Sequence, residues 1–245
     1  MLSTIIIMKK IAFLSFVIIL FANCQSDKKE KNIVNKTAEL NTIETATFTL
    51  MVIKIDSTQF PASIKYEGFV KNAVRWKDKL GDNIVITTET GYHINKKFKH
   101  ESDDSSDAEL LGYHFVISGN EAKQTWKVYD YISDCPVDLT ASFVKNTFNV
   151  TDLNNNGIAE IWLMYKTVCH GDVSPSNMKI IMYEGNQKYA IRGENKVQVG
   201  TYENGEKQFI GGKFKLDESF KKAPKIFKDY ALNLWDKNLI ETWDN

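Results

Sequence analysis

The segment Asp152-Leu153-Asn154-Asn155-Asn156-Gly157-Ile158-Ala159-Glu160 has the residue types and spacing best suited to chemistry. With Asp152 as position one, oxygen-bearing side chains fall at one, three, five and nine (Asp152, Asn154, Asn156 and Glu160). A glycine stands at six and the carbonyl of Ile158 at seven. Calcium takes about six to eight oxygens, and the glycine allows the sharp turn that aims them at one point. The competing reading needs no ion: Asn156-Gly157 alone is a strong signal for a tight type I′ turn between two strands.

A second constellation is conditional. Were Cys135 and Cys169 bonded, Asp134-Cys135-Pro136-Val137-Asp138 would lie beside Cys169-His170-Gly171-Asp172. That would gather Asp134, Asp138, His170 and Asp172 in one region, with Ser174 and Ser176 nearby. Carboxylates beside a histidine can act as an acid/base pair or hold a metal. The preferred reading is blander: a pair of polar loops around a structural disulfide. A catalytic thiol is disfavoured although His170 follows Cys169, because neighbours on an extended strand point to opposite faces. The chain has no zinc-ligand spacing, no phosphate-cradling glycine loop and no Gly-x-Ser-x-Gly.

The Asp152–Glu160 pattern resembles the calcium loops of EF-hands, and more closely those between strands in integrin-type propeller blades. It departs from them in carrying Asn at position five, so only Asp152 and Glu160 bring formal charge. Leu163 stands where an EF-hand has its bidentate Glu at position twelve. As a calcium loop it would bind with modest affinity; the plain hairpin turn is the favoured reading and calcium the alternative.

Cellular location comes from the other end of the chain. Met8-Lys9-Lys10 is a small basic region, and Met8 reads as the translation start. Ile11 to Phe21 is an uninterrupted run of 11 apolar or small residues, followed by Ala22-Asn23-Cys24 and a polar stretch. That order is a secretory signal over residues 1–23. The run reaches only about 16 Å as a helix, against the roughly 30 Å of a bilayer core, so it cannot serve as a spanning anchor. Phe21-Ala22-Asn23-Cys24 resembles the lipobox of bacterial lipoproteins, with Phe21 where Leu is commonest and Asn23 where a smaller residue is usual. The likeness implies that Cys24 carries fatty-acyl (palmitate) chains. Several such chains hold a domain on a membrane where a single one is marginal. An envelope lipoprotein anchored in the outer membrane is expected.

Removing residues 1–23 takes away Lys9 and Lys10 and no acid, leaving 29 basic against 31 acidic side chains, a formal charge of −2. No clustered basic face suggests nucleic acid. With Cys24 acylated, Cys135 and Cys169 form an even pair in an oxidising compartment, for which a disulfide is the default.

Residues 24–45 read as a lipidated cysteine with a flexible polar tether, and 46–245 as one domain. In that domain short runs rich in β-branched and aromatic residues alternate with turn signals. Examples are Phe69 to Trp76, Asn83 to Thr88, Leu111 to Ser118, Thr125 to Ile132, Ala159 to Val168, Lys179 to Tyr183 and Lys188 to Arg192. Short connections predict antiparallel neighbours in a meander. Ile161 to Tyr165, apolar on both faces, predicts the sheet centre, and His100 to Glu109 an acidic surface loop. After Asp217 the apolar residues recur at three-to-four spacing, which predicts an amphipathic helix of about 14 residues packed on the sheet, with Pro224 in its first turn. The fold class is α+β: mostly antiparallel β-sheet with a C-terminal helix.

Several segments carry a wider resemblance. They are Thr151 to Asn154, Gly157 to Glu160, Met164 to Pro175, Met178 to Gly185, Pro224 to Phe227 and Asn233 to Trp235. Together they are similar to an uncharacterised lipoprotein family of the Bacteroidota, sometimes labelled surface polysaccharide (lipopolysaccharide) biosynthesis protein. The likeness covers most of residues 65 to 243. It implies a role in the cell envelope and supplies no reaction or catalytic residue. The expectation is a non-enzymatic accessory or binding module connected with surface polysaccharide, its partners the membrane, through the lipid, and surface glycan or envelope proteins. The alternative is a hydrolase or glycan-modifying enzyme built on His170 and the nearby Asp residues.

Overall fold

Two antiparallel sheets stack face to face in a computed structural model that describes residues 49–241. The signal segment, Cys24 and the tether to residue 45 lie outside the described residues. The first sheet is a meander of β1 (Val52–Lys54), β2 (Phe69–Asp78), β3 (Gly81–Glu89), β4 (Ser106–Ser118) and β5 (Glu121–Cys135), in that spatial order. The second is built from β6 (Leu139–Phe143), β7 (Asn149–Thr151), β8 (Glu160–Cys169), β9 (Asn177–Glu184) and β10 (Gln187–Glu194). A strand β13 (Phe214–Leu216) completes its far edge, while β6 and β7 share the near edge of β8. A separate ribbon pairs β11 (Lys196–Thr201) with β12 (Lys207–Gly211).

The strands reach the sandwich because their alternation gives each sheet two apolar faces. Val74, Trp76, Val85, Leu110, Trp126 and Val128 of the first sheet meet Ile161, Leu163, Tyr165, Ile181 and Tyr183 of the second in a shared core. Behind the second sheet, Trp162, Met164, Met178, Ile180 and Met182 pack under the C-terminal helices. Behind the first, Ile84, Ile86, Leu111, Tyr113 and Phe115 pack with Ile55, Phe60 and Ile64 from the segment after β1. The strand expected at the centre, β8, is apolar on both faces because one looks at the other sheet and one at the helices. A second sheet stacked on the first therefore adds to the meander and helix read from the sequence.

Two expectations need correction. The C-terminal helix is broken into α1 (Glu218–Lys222) and α2 (Lys225–Lys237). Ala223 is forced out of helical geometry (ψ 158°) by the ring of Pro224, which precedes the first turn of α2 instead of sitting inside it. Nor is His100 to Glu109 all surface loop: β4 begins at Ser106, and Asp107 and Glu109 are buried.

Candidate functional site

Polar chemistry concentrates at three places: the two ends of β8 and the outer face of the first sheet. The corner where β7 turns into β8 holds the Asp152–Glu160 loop. Thr151 and Glu160 close the ladder, so the connection is the excursion Asp152 to Ala159 and not a two-residue type I′ turn. Positive φ falls on Asn155 (54°) and Gly157 (79°), and Asn156 is not among the positive-φ residues. Asp152 Oδ2 accepts from the Gly157 N–H at 3.0 Å. Asn154 Oδ1 accepts from Asn156 N–H, and Asn156 Oδ1 from Ile158 N–H. Glu160 Oε2 accepts from the Thr151 hydroxyl at 2.7 Å and from Leu153 N–H at 2.9 Å.

Glu184, on β9, is the participant that sequence reasoning missed. Its Oε1 accepts from Asn154 Nδ2 and Asn156 Nδ2, each at 2.7 Å. The signal that could have found it was weak: it is the last residue of a strand neighbouring β8, paired across the ladder with Glu160. The other sheet braces the loop: Lys79 N–H donates to the Gly157 carbonyl, its ammonium to the Asn156 carbonyl, and Asp78 Oδ2 accepts from Ala159 N–H. Burial pushes the Glu160 carboxyl above its ordinary range; the Leu153 and Thr151 donors oppose that, and the charges of Glu184 and Asp152 add to it. Among the described residues no three His, Cys, Asp or Glu side chains converge as a metal ligand set. Any cation here would have to take amide and carbonyl oxygens as well.

At the opposite end of β8, the Cys135–Cys169 disulfide is present and joins β5 of one sheet to β8 of the other. Asp138, Lys166, His170, Asp172, Ser174 and Ser176 line a cavity of about 360 Å³ beside it. The His170 N–H donates to the Asp138 carbonyl at 3.0 Å. Both ring nitrogens of His170 lack hydrogen-bond partners, and the nearest carboxylate oxygen, on the exposed Asp172, stands 3.7 Å away. Asp134, grouped with these by the sequence, belongs elsewhere: its carboxylate accepts from Glu101 N–H and its own N–H donates to Asp107. The disulfide thus brings His170, Asp138 and Asp172 together without making a hydrogen-bonded nucleophile–base pair.

The third place was not anticipated. On β5, Tyr129 and Tyr131 lie opposite Leu111 and Glu109 of β4, and Leu111 belongs to the cluster behind the first sheet, so both tyrosines project from its outer face. Tyr129 is 44% and Tyr131 43% exposed. Phe98 stacks on Tyr131 with ring centroids 4.7 Å apart, and Tyr131 on Tyr129 at 5.4 Å. Lys127 stands over the rings of Tyr113 and Tyr129. Beneath the row the buried Glu109 accepts from the Tyr129 hydroxyl at 3.0 Å and from Asn95 Nδ2. Burial, then that bond to Glu109, pushes the Tyr129 hydroxyl far above its ordinary range and keeps it protonated. The alternation Tyr129-x-Tyr131 on a strand was the legible signal, but which face stayed uncovered was not. Against this geometry, no protein family, no curated protein and no solved structure matches the chain.

Proposed function

We propose that the mature domain is a non-enzymatic, lipid-anchored binding module of the cell envelope whose ligand is surface glycan. The single observation that carries this reading is the row Phe98–Tyr131–Tyr129, half-buried at Phe98 and exposed at both tyrosines, over a buried, hydrogen-bonded Glu109. The rings turn their faces to one another, so the row presents a ribbed apolar surface of ring edges, against which the C–H groups of a pyranose ring can pack while its hydroxyls reach the tyrosine hydroxyls and Lys127. Tyrosine is well suited to the task, since two χ angles leave little freedom to lose on binding. Lys127 at one end of the row supplies a donor to hydroxyl or anionic sugar groups. The resemblance to envelope lipoproteins labelled for surface polysaccharide supports the same reading.

The test is direct titration of the purified domain with fragments of surface polysaccharide, followed by intrinsic tyrosine fluorescence and calorimetry. Tyr131→Ala should weaken binding at least about tenfold, the loss of one good aromatic anchor. Equal affinity in wild type and Tyr131→Ala, or no glycan bound at all, would overturn the assignment.

The hydrolase alternative draws on one specific feature, a histidine beside a concave site whose two ring nitrogens are buried and without hydrogen-bond partners among the described residues. It predicts release of reducing ends from the same fragments, lost in His170→Asn.

A further inference from the structure

The corner between β7 and β8 has a property that the glycan reading does not use. Asp152 Oδ1 and Glu160 Oε1 are both buried and neither meets a hydrogen-bond donor among the described residues, although Glu160 is fully enclosed. Such an oxygen is costly to keep, and carboxylate oxygens most of all. These two are not products of a loosely built loop. In each carboxyl group the sister oxygen is tied down, Oδ2 of Asp152 by Gly157 N–H and Oε2 of Glu160 by Thr151 and Leu153. Each group is therefore held in one orientation with its bare oxygen fixed in place.

The neutral donors are fixed as well. Glu184 takes the Nδ2 groups of both Asn154 and Asn156, and this settles which end of each amide is oxygen. Both Oδ1 atoms already accept one backbone N–H and keep a second lone pair. The charges of Glu184 and Asp152 both bear on Glu160, and the Lys79 ammonium is directed at the Asn156 carbonyl.

We propose that this corner is a calcium site. Asp152 Oδ1 and Glu160 Oε1 supply the charge, Asn154, Asn156 and the Ile158 carbonyl supply neutral oxygens, and Glu184 acts as the positioning residue that aims the amides. An all-oxygen set selects a hard cation, and a loop of this flexibility suits calcium better than magnesium, whose small octahedral shell is demanding.

The experiment uses the full chain, purified in detergent and stripped with chelator. Thr151 accepts from the Trp162 indole at 2.9 Å and donates to Glu160, so a bound terbium ion would sit beside a tryptophan antenna. Tryptophan-sensitised terbium luminescence should appear and be competed away by calcium, with magnesium much less effective. Calcium at about 100 times its Kd should raise the melting temperature by about 5–10 °C. Glu160→Gln keeps the acceptor for Thr151 and Leu153 and removes the charge. It should melt no lower than wild type in chelator yet show no calcium shift. Glu184→Gln should weaken binding by about tenfold or more. Absent terbium luminescence, or identical melts of the wild type in calcium and chelator, overturns the site. So does a Glu160→Gln protein that still shifts; if that variant fails to fold, Asp152→Asn is read in the same two assays.

Discussion

The two ends of β8 make opposite use of polar side chains. At Glu160 the strand begins in a corner where one oxygen of each of the Asp152 and Glu160 carboxylates is tied to a named donor, while the sister oxygen is buried without one among the described residues. At Cys169 it ends beside a cavity where His170 stands with both ring nitrogens bare and its nearest carboxylate at 3.7 Å. The first end is organised before any ligand arrives; the second would have to be organised by one. Pre-organisation is what makes a polar group useful to a bound ion or a transition state, because the cost of orienting it has been met during folding. Titratable residues crowded at a strand end therefore do not by themselves mark a site; the restraint placed on each one does.

The largest effect expected from breaking this comparison is at the cavity end. Cys135 and Cys169 are 34 residues apart, and closing a loop of that length stabilises by about 4 kcal/mol in the chain-entropy picture. The double variant Cys135→Ser, Cys169→Ser should lose about that much in urea unfolding. Its calcium response should survive, since the Asp152 corner is braced by Asp78 and Lys79 from the other sheet and not by the disulfide. A calcium response lost together with the disulfide would mean that the two ends are one unit.

Comparing His170 with another histidine sharpens the point. His114 is buried between Trp76 and Trp126, with Nδ1 2.6 Å from Thr125 Oγ1 and Nε2 3.2 Å from Asn83 Oδ1. Burial pushes its pKa down to about 4 from an ordinary 6.5, against the pull of the Asp78 charge. The folded state thus holds a neutral ring. Its contribution is complete above pH 6.5 and drains as the pH falls toward 4, amounting to about 3 kcal/mol across that window. Urea melts at pH 7 and pH 4.5 should show most of this loss in the wild type, and a much flatter profile in His114→Gln. An equally steep profile in the variant would assign the loss to carboxylates instead.

A smaller effect tests the corner. Gly157 has φ of 79°, and a Cβ there would approach the Lys79 side chain to 2.8 Å. Gly157→Ala should cost about 1–2 kcal/mol in thermal or urea unfolding, from a left-handed backbone that L-residues resist. It should also weaken calcium binding by displacing Lys79 from the Asn156 carbonyl. A neutral Gly157→Ala would show that the loop is soft, erasing the contrast with the cavity.

Much of the fold was legible because it rests on periodicity. The seven strand runs and the two-faced β8 follow from side-chain alternation, and the disulfide from an even cysteine pair. What was not legible depends on contacts distant in sequence. Ser106 to Glu109 reads as polar loop, yet Asp107 and Glu109 are buried because His100, Asn95 and Tyr129 satisfy them across the fold. Glu184 reads as a hairpin-end charge until β9 lays it beside the loop. Asp134 sits next to Cys135 in sequence, but its positive φ of 54° sends the carboxylate toward residue 101 instead of His170. The aromatic row needed Phe98, from a loop more than thirty residues before Tyr131, to complete it.

The smallest expected effect is at His170 itself, and it decides what the cavity is for. The ring makes no hydrogen bond to lose, and the backbone N–H that bonds Asp138 is retained by any substitution except proline. His170→Asn should therefore change unfolding free energy by no more than about 0.5 kcal/mol, the range of substitutions away from caps, cores and networks. In the binding-module reading the aromatic row lies on the outer face of the other sheet, so glycan affinity should stay within about twofold of wild type and no cleavage product should be seen in either protein. A tenfold change in affinity, or hydrolysis present in wild type and absent in the variant, would move the functional centre from the tyrosines to the cavity. In that case the bare nitrogens of His170 would be the general base that substrate binding completes, as happens where catalytic hydrogen bonds tighten only in the bound complex.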